Sequence, residues 1–377
     1  IVSRGTSNHA TRVVKKLITI EYVKGFSLES FKGVYSKGVL KVTNSGKIES
    51  SLASETQIEI HNDANISDYY LPDSVDDLYK SSSVQWWPSP DNQIGEHKVL
   101  TKIDYTMPDF PDFPTPGVVI NLDPISGNKH ETITLTEDVT KIPSINLASG
   151  CRLTIDVGDK DRELIVGDIK VPEGYIRIKG TGNLKLYVEG KIEFGGSTII
   201  NHPDPLIDFD NHSVDYIKNA VKTNVAEAEK NARIEQSKNA ANKLSIYYKG
   251  KADGETEAKK LNISGAQHIC GSIFAEDADV DIGGSGAMFG TLITGGNTVN
   301  VSGGSGLSSN LIYAPNALVT VSGSGKIVGP IVSNEFVFDG GSGTSLDFDP
   351  SDGLTGDTFN LVTPGEVKIN EGVAREQ

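Results

Sequence analysis

Long apolar runs are missing from this 377-residue chain. None approaches the roughly 18 residues a membrane-crossing helix needs, so a helical membrane span is not expected. Cysteine occurs twice, at Cys151 and Cys270, far apart and with no CxxC pair. That excludes a zinc ribbon or a thioredoxin-like centre. Two readings of the pair stay open: a disulfide, or two buried small apolar residues. Basic residues are outnumbered, 35 against 50 acidic, and the formal charge of -15 repels a phosphate backbone, so nucleic acid is not an expected partner. No GxSxG, no HExxH and no GxxxxGK followed by Ser or Thr occurs, which leaves the common hydrolase, zinc-protease and nucleotide-binding signatures without a match. The opening IVSRGTSNHATRVVKK is polar and has no apolar signal-peptide core, as a processed product or a cytosolic protein reads.

Glycine, by contrast, is abundant. There are 40 glycines against two methionines and two tryptophans, which points to tight corners rather than thick helical packing. Many of the glycines recur in one phrase: DVDIGGSGAMFGTLIT, TVNVSGGSGLSSNLIYA, LVTVSGSGKIVGPIVS and FVFDGGSGTSLDFD. The last corner glycines of these units are Gly286, Gly306, Gly325 and Gly343, spaced 20, 19 and 18 by subtraction. Each unit has an alternating apolar run, a Gly/Ser corner, and a second apolar pair such as Leu292-Ile293 or Ile331-Val332. A hairpin sandwich does not require the same corner at so long an interval, whereas stacked windings do, because each can bury its apolar side only against its neighbours. The same grammar appears in SINLASGCRLTIDVGD, in YIRIKGTGNLKLYVEGKIEFGGS and, near the start, in GVLKVTNSGKIE. The expected fold is mainly β: a β-solenoid (β-helix) of about 19-residue coils, with a long inserted α-helix and loop-rich insertions.

The expected organisation follows the interruptions. Residues 1–28 form an N-terminal segment and 29–60 the first coils. Residues 61–135 are a loop-rich insertion that contains Trp86-Trp87, read as anchors for a loop, and a strap, MPDFPDFPTP, whose prolines at 108, 111, 114 and 116 favour a polyproline-like extension. Middle coils occupy 136–200 and a helical insertion 201–260, with the helix itself from about Asp215 to Leu244. C-terminal coils fill 261–349, and 350–377 is a tail.

Catalysis finds little support in this pattern. The outward columns are Asp281, Asn300, Thr320, Val337 and Asp279, Thr298, Leu318, Glu335, and neither gathers an acid, a base and a cation as a polysaccharide-cleaving solenoid would. One threonine per column is a poor match to an ice-binding array. No catalytic, cofactor-binding or metal residue is therefore assigned. Calcium is the one cation considered, in two acidic loops: Asp347, Asp349, Asp352 and Asp357, or Asp204, Asp208 and Asp210 between His202 and His212; solvated loops are the alternative. Asn-x-Ser sequons stand at Asn65, Asn211, Asn262 and Asn300.

The stretch YAPNALVTVSGSGKIVGPIVSNEFVFDGGSGTSLDFD, with KLSIYYKG before LNISG and the MPDFPDFP strap, resembles the C-terminal domain of PilX-type, pilin-like bacterial surface proteins over residues 27–50 and 105–350. Bactofilin-like filament formers and bacterial ice-binding proteins share a looser similarity of shape. The resemblance implies a non-enzymatic extracellular or cell-surface structural protein, pilus-associated or filament-forming and adhesive, with protein partners on the cell surface or in a pilus and with self-association. Two alternatives stand beside it: a carbohydrate-active β-helix enzyme and an ice-binding adhesin.

Overall fold

The computed structural model describes residues 2–7, 10–15, 18–22, 33–43, 47–60, 69–72, 78–80, 97–100, 105–202, 236–249, 259–304, 306–308, 311–341, 344–347, 367–371 and 375–376. The chain divides into two compact units, Ile1–Phe31 with Phe359–Gln377, and Lys32–Thr358. In the smaller unit Val2–Ser7 pairs antiparallel with Ala10–Lys15, and the two ends of the chain meet where Ala10–Lys15 pairs with Arg375–Glu376 and Ile18–Tyr22 with Val367–Glu371.

The larger unit is mainly β, with large parallel sheets. Its strands fall into three series. The first includes Leu184–Val188, Leu244–Tyr248, Ser272–Ala275 and Leu292–Thr294; the second includes Lys259–Ile263, Ala278–Ile282 and Thr298–Val301. The long strands Ile312–Gly323 and Ile331–Gly340 pass through both. The third series is a separate sheet that runs in spatial order from His130–Thr134 through Cys151–Gly158, Gly174–Gly180, Ile199–Ile200, His268–Cys270, Ala287–Phe289, Gly306–Ser308, Lys326–Val328 and Ser345–Asp347 to Lys47–Glu49. One strand from each series makes a tier.

Tiers recur at the interval the glycine phrase predicts. Ile273 pairs with Leu292, Leu292 with Ile312 and Ile312 with Ile331, so the numbering advances by 19, 20 and 19 from tier to tier. Upstream the steps are slightly longer, with Ile133 paired to Ile155 and Leu153 to Ile176. Alternate residues of all three series enter one buried cluster that includes Ile155, Ile176, Ile269, Met288, Val299, Ile312, Phe336 and Leu346. Each such side chain contributes about 1.5–3 kcal/mol by leaving water. On the outside, ion pairs link neighbouring tiers, among them Lys185–Glu163 at 3.4 Å, Lys179–Asp156 at 3.3 Å and Lys41–Glu59 at 3.3 Å. Exposed pairs add only ~0–1 kcal/mol each, but a slipped register would set like charges opposite one another.

Glycine is required at one corner of the tiers. Gly265, Gly284, Gly303 and Gly323 all have φ of 64–68° and stack on one another. A methyl group on Gly284 would sit 2.8 Å from the Gly265 nitrogen. The corner glycines that align the repeats, Gly286 and Gly325, lie two positions further on and are buried in the turn.

Two features differ from the expected arrangement. The coils nearest the N-terminus do not begin the stack: Gly33–Ser36, Leu40–Val42 and Lys47–Glu49 pair in parallel with the C-terminal strands, Val34 opposite Ile331, Leu40 opposite Phe336 and Ile48 opposite Leu346. They therefore extend the stack beyond its last C-terminal tier, while Val118–Val119 and His130–Thr134 occupy the opposite end. The helix expected from Asp215 to Leu244 lies outside the described residues up to 235. Residues 236–241 are helical, but Leu244 opens a strand, because LSIYY repeats the alternation of LKLYV and pairs with it from Leu184 to Val188.

Candidate functional site

The outward columns read from the sequence are neighbours in space. Asn262, Asp281, Asn300, Thr320 and Val337 follow one another across the second series, and Lys41 and Glu59 continue the row. Their polar groups hold one tier to the next. Asn300 Nδ2 donates to Asp281 Oδ1 at 2.6 Å, and Lys260 Nζ lies 3.5 Å from Asp281 Oδ2. In the adjacent column Asp279 Oδ1 accepts the backbone N–H groups of Asn297 and Thr298, both at 2.9 Å. Asp168 and Asp161 do the same for Lys191 and Asn183 at 2.7 and 2.8 Å. These carboxylates are engaged in holding the fold, and their arrangement gathers no acid, base and cation around a common point.

A second surface carries no signal in the sequence pattern. On the first series the residues that alternate with the core run Ile165, Tyr187, Tyr247, Phe274, Ile293, Tyr313, Val332 and Tyr35. They face away from the core by strand alternation, yet all are buried. Over the aromatic members of the row the cover is the proline strap. Tyr105 packs edge-on to Tyr35 at 4.6 Å and to Tyr313 at 6.1 Å between ring centroids, Phe110 to Phe274 at 5.1 Å, and Phe113 to Tyr187 at 5.1 Å. Tyr313 Oη donates to the Thr106 carbonyl at 2.8 Å, and Lys37 Nζ donates to that of Tyr105.

Residues 105–116 pair with no strand, and their exposure has a period of three: Thr106, Asp109, Asp112 and Thr115 face water while Met107, Phe110, Phe113 and the prolines are half-buried. Three residues per turn is the polyproline II period. From Tyr105 to Phe113 the strap crosses about five strand spacings, ~24 Å, in eight residues, close to the ~3.1 Å rise of that helix. A triplet therefore advances ~9.3 Å, about two tiers, which is how MPD-FPD-FPT drops an apolar side chain onto every second tier or so. Burial raises the Tyr105 and Tyr187 hydroxyls above the ordinary tyrosine range, with smaller contributions from neighbouring tyrosines and from Glu55 and Glu163 respectively.

A third cluster brings Asn201 and His202 together with Ala240, His268 and Cys270. Asn201, buried with φ of 53°, donates from Nδ2 to the carbonyls of Ala240 and Cys270 at 2.9 and 3.2 Å. Tyr175 Oη donates to the His202 carbonyl at 3.1 Å, and the rings of His202 and His268 stand perpendicular, 5.9 Å apart. Burial pushes the Cys270 thiol up to about 12, against a lowering by its hydrogen bond with Ser237. Asn201 carries the one legible signal, since Asn tolerates the left-handed region better than other non-glycine residues.

Cys151 and Cys270 are both buried and unlinked. Their strands are separated by Gly174–Gly180 and Ile199–Ile200, so at least three strand spacings, ~14 Å, lie between them, twice a disulfide's reach. Of the calcium candidates, His202 is buried and Asp347 lies on a third-series strand; Asp204, Asp208, Asp210, His212, Asp349, Asp352 and Asp357 fall outside the described residues, as do Trp86, Trp87, Asn65 and Asn211. Among the described residues no three His, Cys, Asp or Glu side chains come together as a metal site, and no helix is long and apolar enough to cross a membrane. Asn262 is exposed, whereas Asn300 is engaged with Asp281.

Residues 142–307 match a family described as a domain of unknown function (DUF7305). No curated protein and no solved structure matches the chain.

Proposed function

We propose that the three strand series close into a β-solenoid, one tier per coil, and that the chain works as a non-enzymatic structural protein of the bacterial cell surface, pilus-associated or filament-forming. The solenoid reading is supported by parallel registers that return to the same series at a nearly constant interval and by one buried cluster fed from all three series. The structural role is supported above all by the outward carboxylates: Asp279 and Asp281 are occupied with the neighbouring tier, which leaves display or assembly as the use of that face. The net charge of -15 suits an exposed, well-solvated surface. The partners are proteins of the cell surface or a pilus, including other copies of the chain, and the location is extracellular.

Immunogold electron microscopy on intact cells tests this reading, with label expected on surface filaments or the envelope. Label confined to the cytoplasm, or dispersed monomers with no surface association, would sink it. New reducing ends on incubation with acidic or neutral polysaccharides would replace it with a carbohydrate-active enzyme.

A further inference from the structure

The stack contains a joint with no chain continuity across it. Ser36 Oγ donates to the Asn334 carbonyl at 3.0 Å across a separation of 298 residues, and Val34, Leu40 and Ile48 sit opposite Ile331, Phe336 and Leu346 as any interior tier sits on the next. Nothing in these contacts distinguishes the chain's own residues 33–60 from those of another copy. The sequence that joins this block to the rest of the stack passes through the strap. The start of the strap is seated on both sides of the joint: Tyr105 packs on Tyr35 of the block and on Tyr313 of the neighbouring tiers, and Lys37 Nζ donates to the Tyr105 carbonyl, so a seated strap holds the block to its own edge.

We propose that the edge formed by Ile331–Gly340 and Ser345–Asp347 is an exchangeable docking surface whose alternative occupant is residues 33–60 of a second copy, and that the strap is a latch against the exchange, alongside the pairing of Ile18–Tyr22, ahead of the block, with Val367–Glu371, beyond the edge. Each copy offers one block and one edge. Once Phe110 and Phe113 leave their aromatic seats, the freed segment lets the block reach a neighbour's edge, and repeated exchange joins copies into chains or rings through contacts already present in the single molecule. This goes beyond the proposed surface role and does not depend on it.

The test uses two full-length variants, Ser36→Cys and Ser333→Cys, each also carrying Cys151→Ala and Cys270→Ala so that no other thiol is present; the two new positions pair in register across the joint at a spacing a disulfide spans. The variants are unfolded, mixed at high concentration and refolded together under oxidising conditions; a covalent heterodimer is expected, and its absence would overturn the proposal. Mixing already folded copies is expected to give heterodimer only slowly. Adding Phe110→Ser and Phe113→Ser to both is expected to speed that exchange at least about tenfold, the effect of removing ~1.4 kcal/mol from the barrier; an unchanged rate would remove the strap's role as latch. If the strap variants do not fold, co-refolding of the two single-cysteine copies decides the matter alone.

Discussion

Phe110 meets Phe274 edge-on, ring centroids 5.1 Å apart and planes at 82°, so a segment that pairs with no strand is held to the sheet by its side chains. Phe110→Ala is expected to cost about 1–3 kcal/mol, below the value for a fully buried phenylalanine because this ring is half-exposed. Asp109→Ala and Asp112→Ala, on the outer side of the same polyproline turn, are expected within ~0.5 kcal/mol of the parent. Urea midpoints of the three variants check the pattern, and equal losses at 109 and 110 would contradict a one-sided strap.

Gly290 has φ of 129°, and a methyl group there would lie 2.5 Å from the Gly271 carbonyl oxygen. Gly290→Ala is expected to lose roughly 2–4 kcal/mol through backbone strain and displacement of the tier beneath. At Gly196, where nothing stands within 4 Å and φ is not in the left-handed region, alanine is expected to be nearly neutral. Thermal melts of the two variants make the comparison.

Asn201 joins its own tier to Ala240 and Cys270. Asn201→Ala is expected to cost about 2–4 kcal/mol, from two buried carbonyls left without this donor and from a methyl group at φ of 53°. Asn201→Gly relieves the second effect but not the first, so it is expected to recover about 1 kcal/mol in denaturant titration.

Both cysteines are expected to resist a thiol reagent at pH 8 in the folded protein and to react, two per chain, once denatured. For Cys270 the raised pKa adds to burial in suppressing the thiolate. A reducing agent is expected to leave the melting temperature unchanged. Fewer than two thiols in the denatured chain would reveal a bond between the cysteines.

Alkaline pH is expected to weaken the fold. Cys270 titrates near 12 when folded against 9.0 for an unperturbed thiol, and Tyr105, Tyr187 and Tyr247 are also raised, each first by burial. Above the unfolded-state values the unfolded chain binds fewer protons, so stability is intact below about pH 9 and falls as pH rises, by up to ~1.4 kcal/mol per unit for each group titrating. Tyr105→Phe keeps the ring contacts but removes one ionisable oxygen, and its urea midpoint is expected to fall less steeply between pH 9.5 and 11.5.

The repeat interval is legible because glycine corners mark it directly, and the columns from Asp281 to Val337 and from Asp279 to Glu335 keep their register in space because strand alternation carries over from tier to tier. The order of the tiers is not legible. GVLKVTNSGKIE has the same local pattern as every other unit, and nothing in that pattern says that Leu40 lies on Phe336 rather than at the opposite end. The aromatic column is hidden for a similar reason: strand alternation turns Tyr187, Tyr247 and Phe274 away from the core, and nothing in their local pattern says that the strap lies above them. Leu244 reads as the end of a helix because the alanine-rich run before it has helical spacing, and only its pairing with Leu184 shows where that run stops.

The 298 residues between Ser36 and Asn334 also set a clock. At the ~5–20 residues per second of ribosomal synthesis, Val34 and Leu40 wait roughly 15–60 s before Ile331 and Phe336 exist to receive them. Throughout that interval Gly33–Ser36 and Leu40–Val42 keep an open edge on the side that the last C-terminal tier will cover, so that side of the block is completed only when synthesis is nearly over.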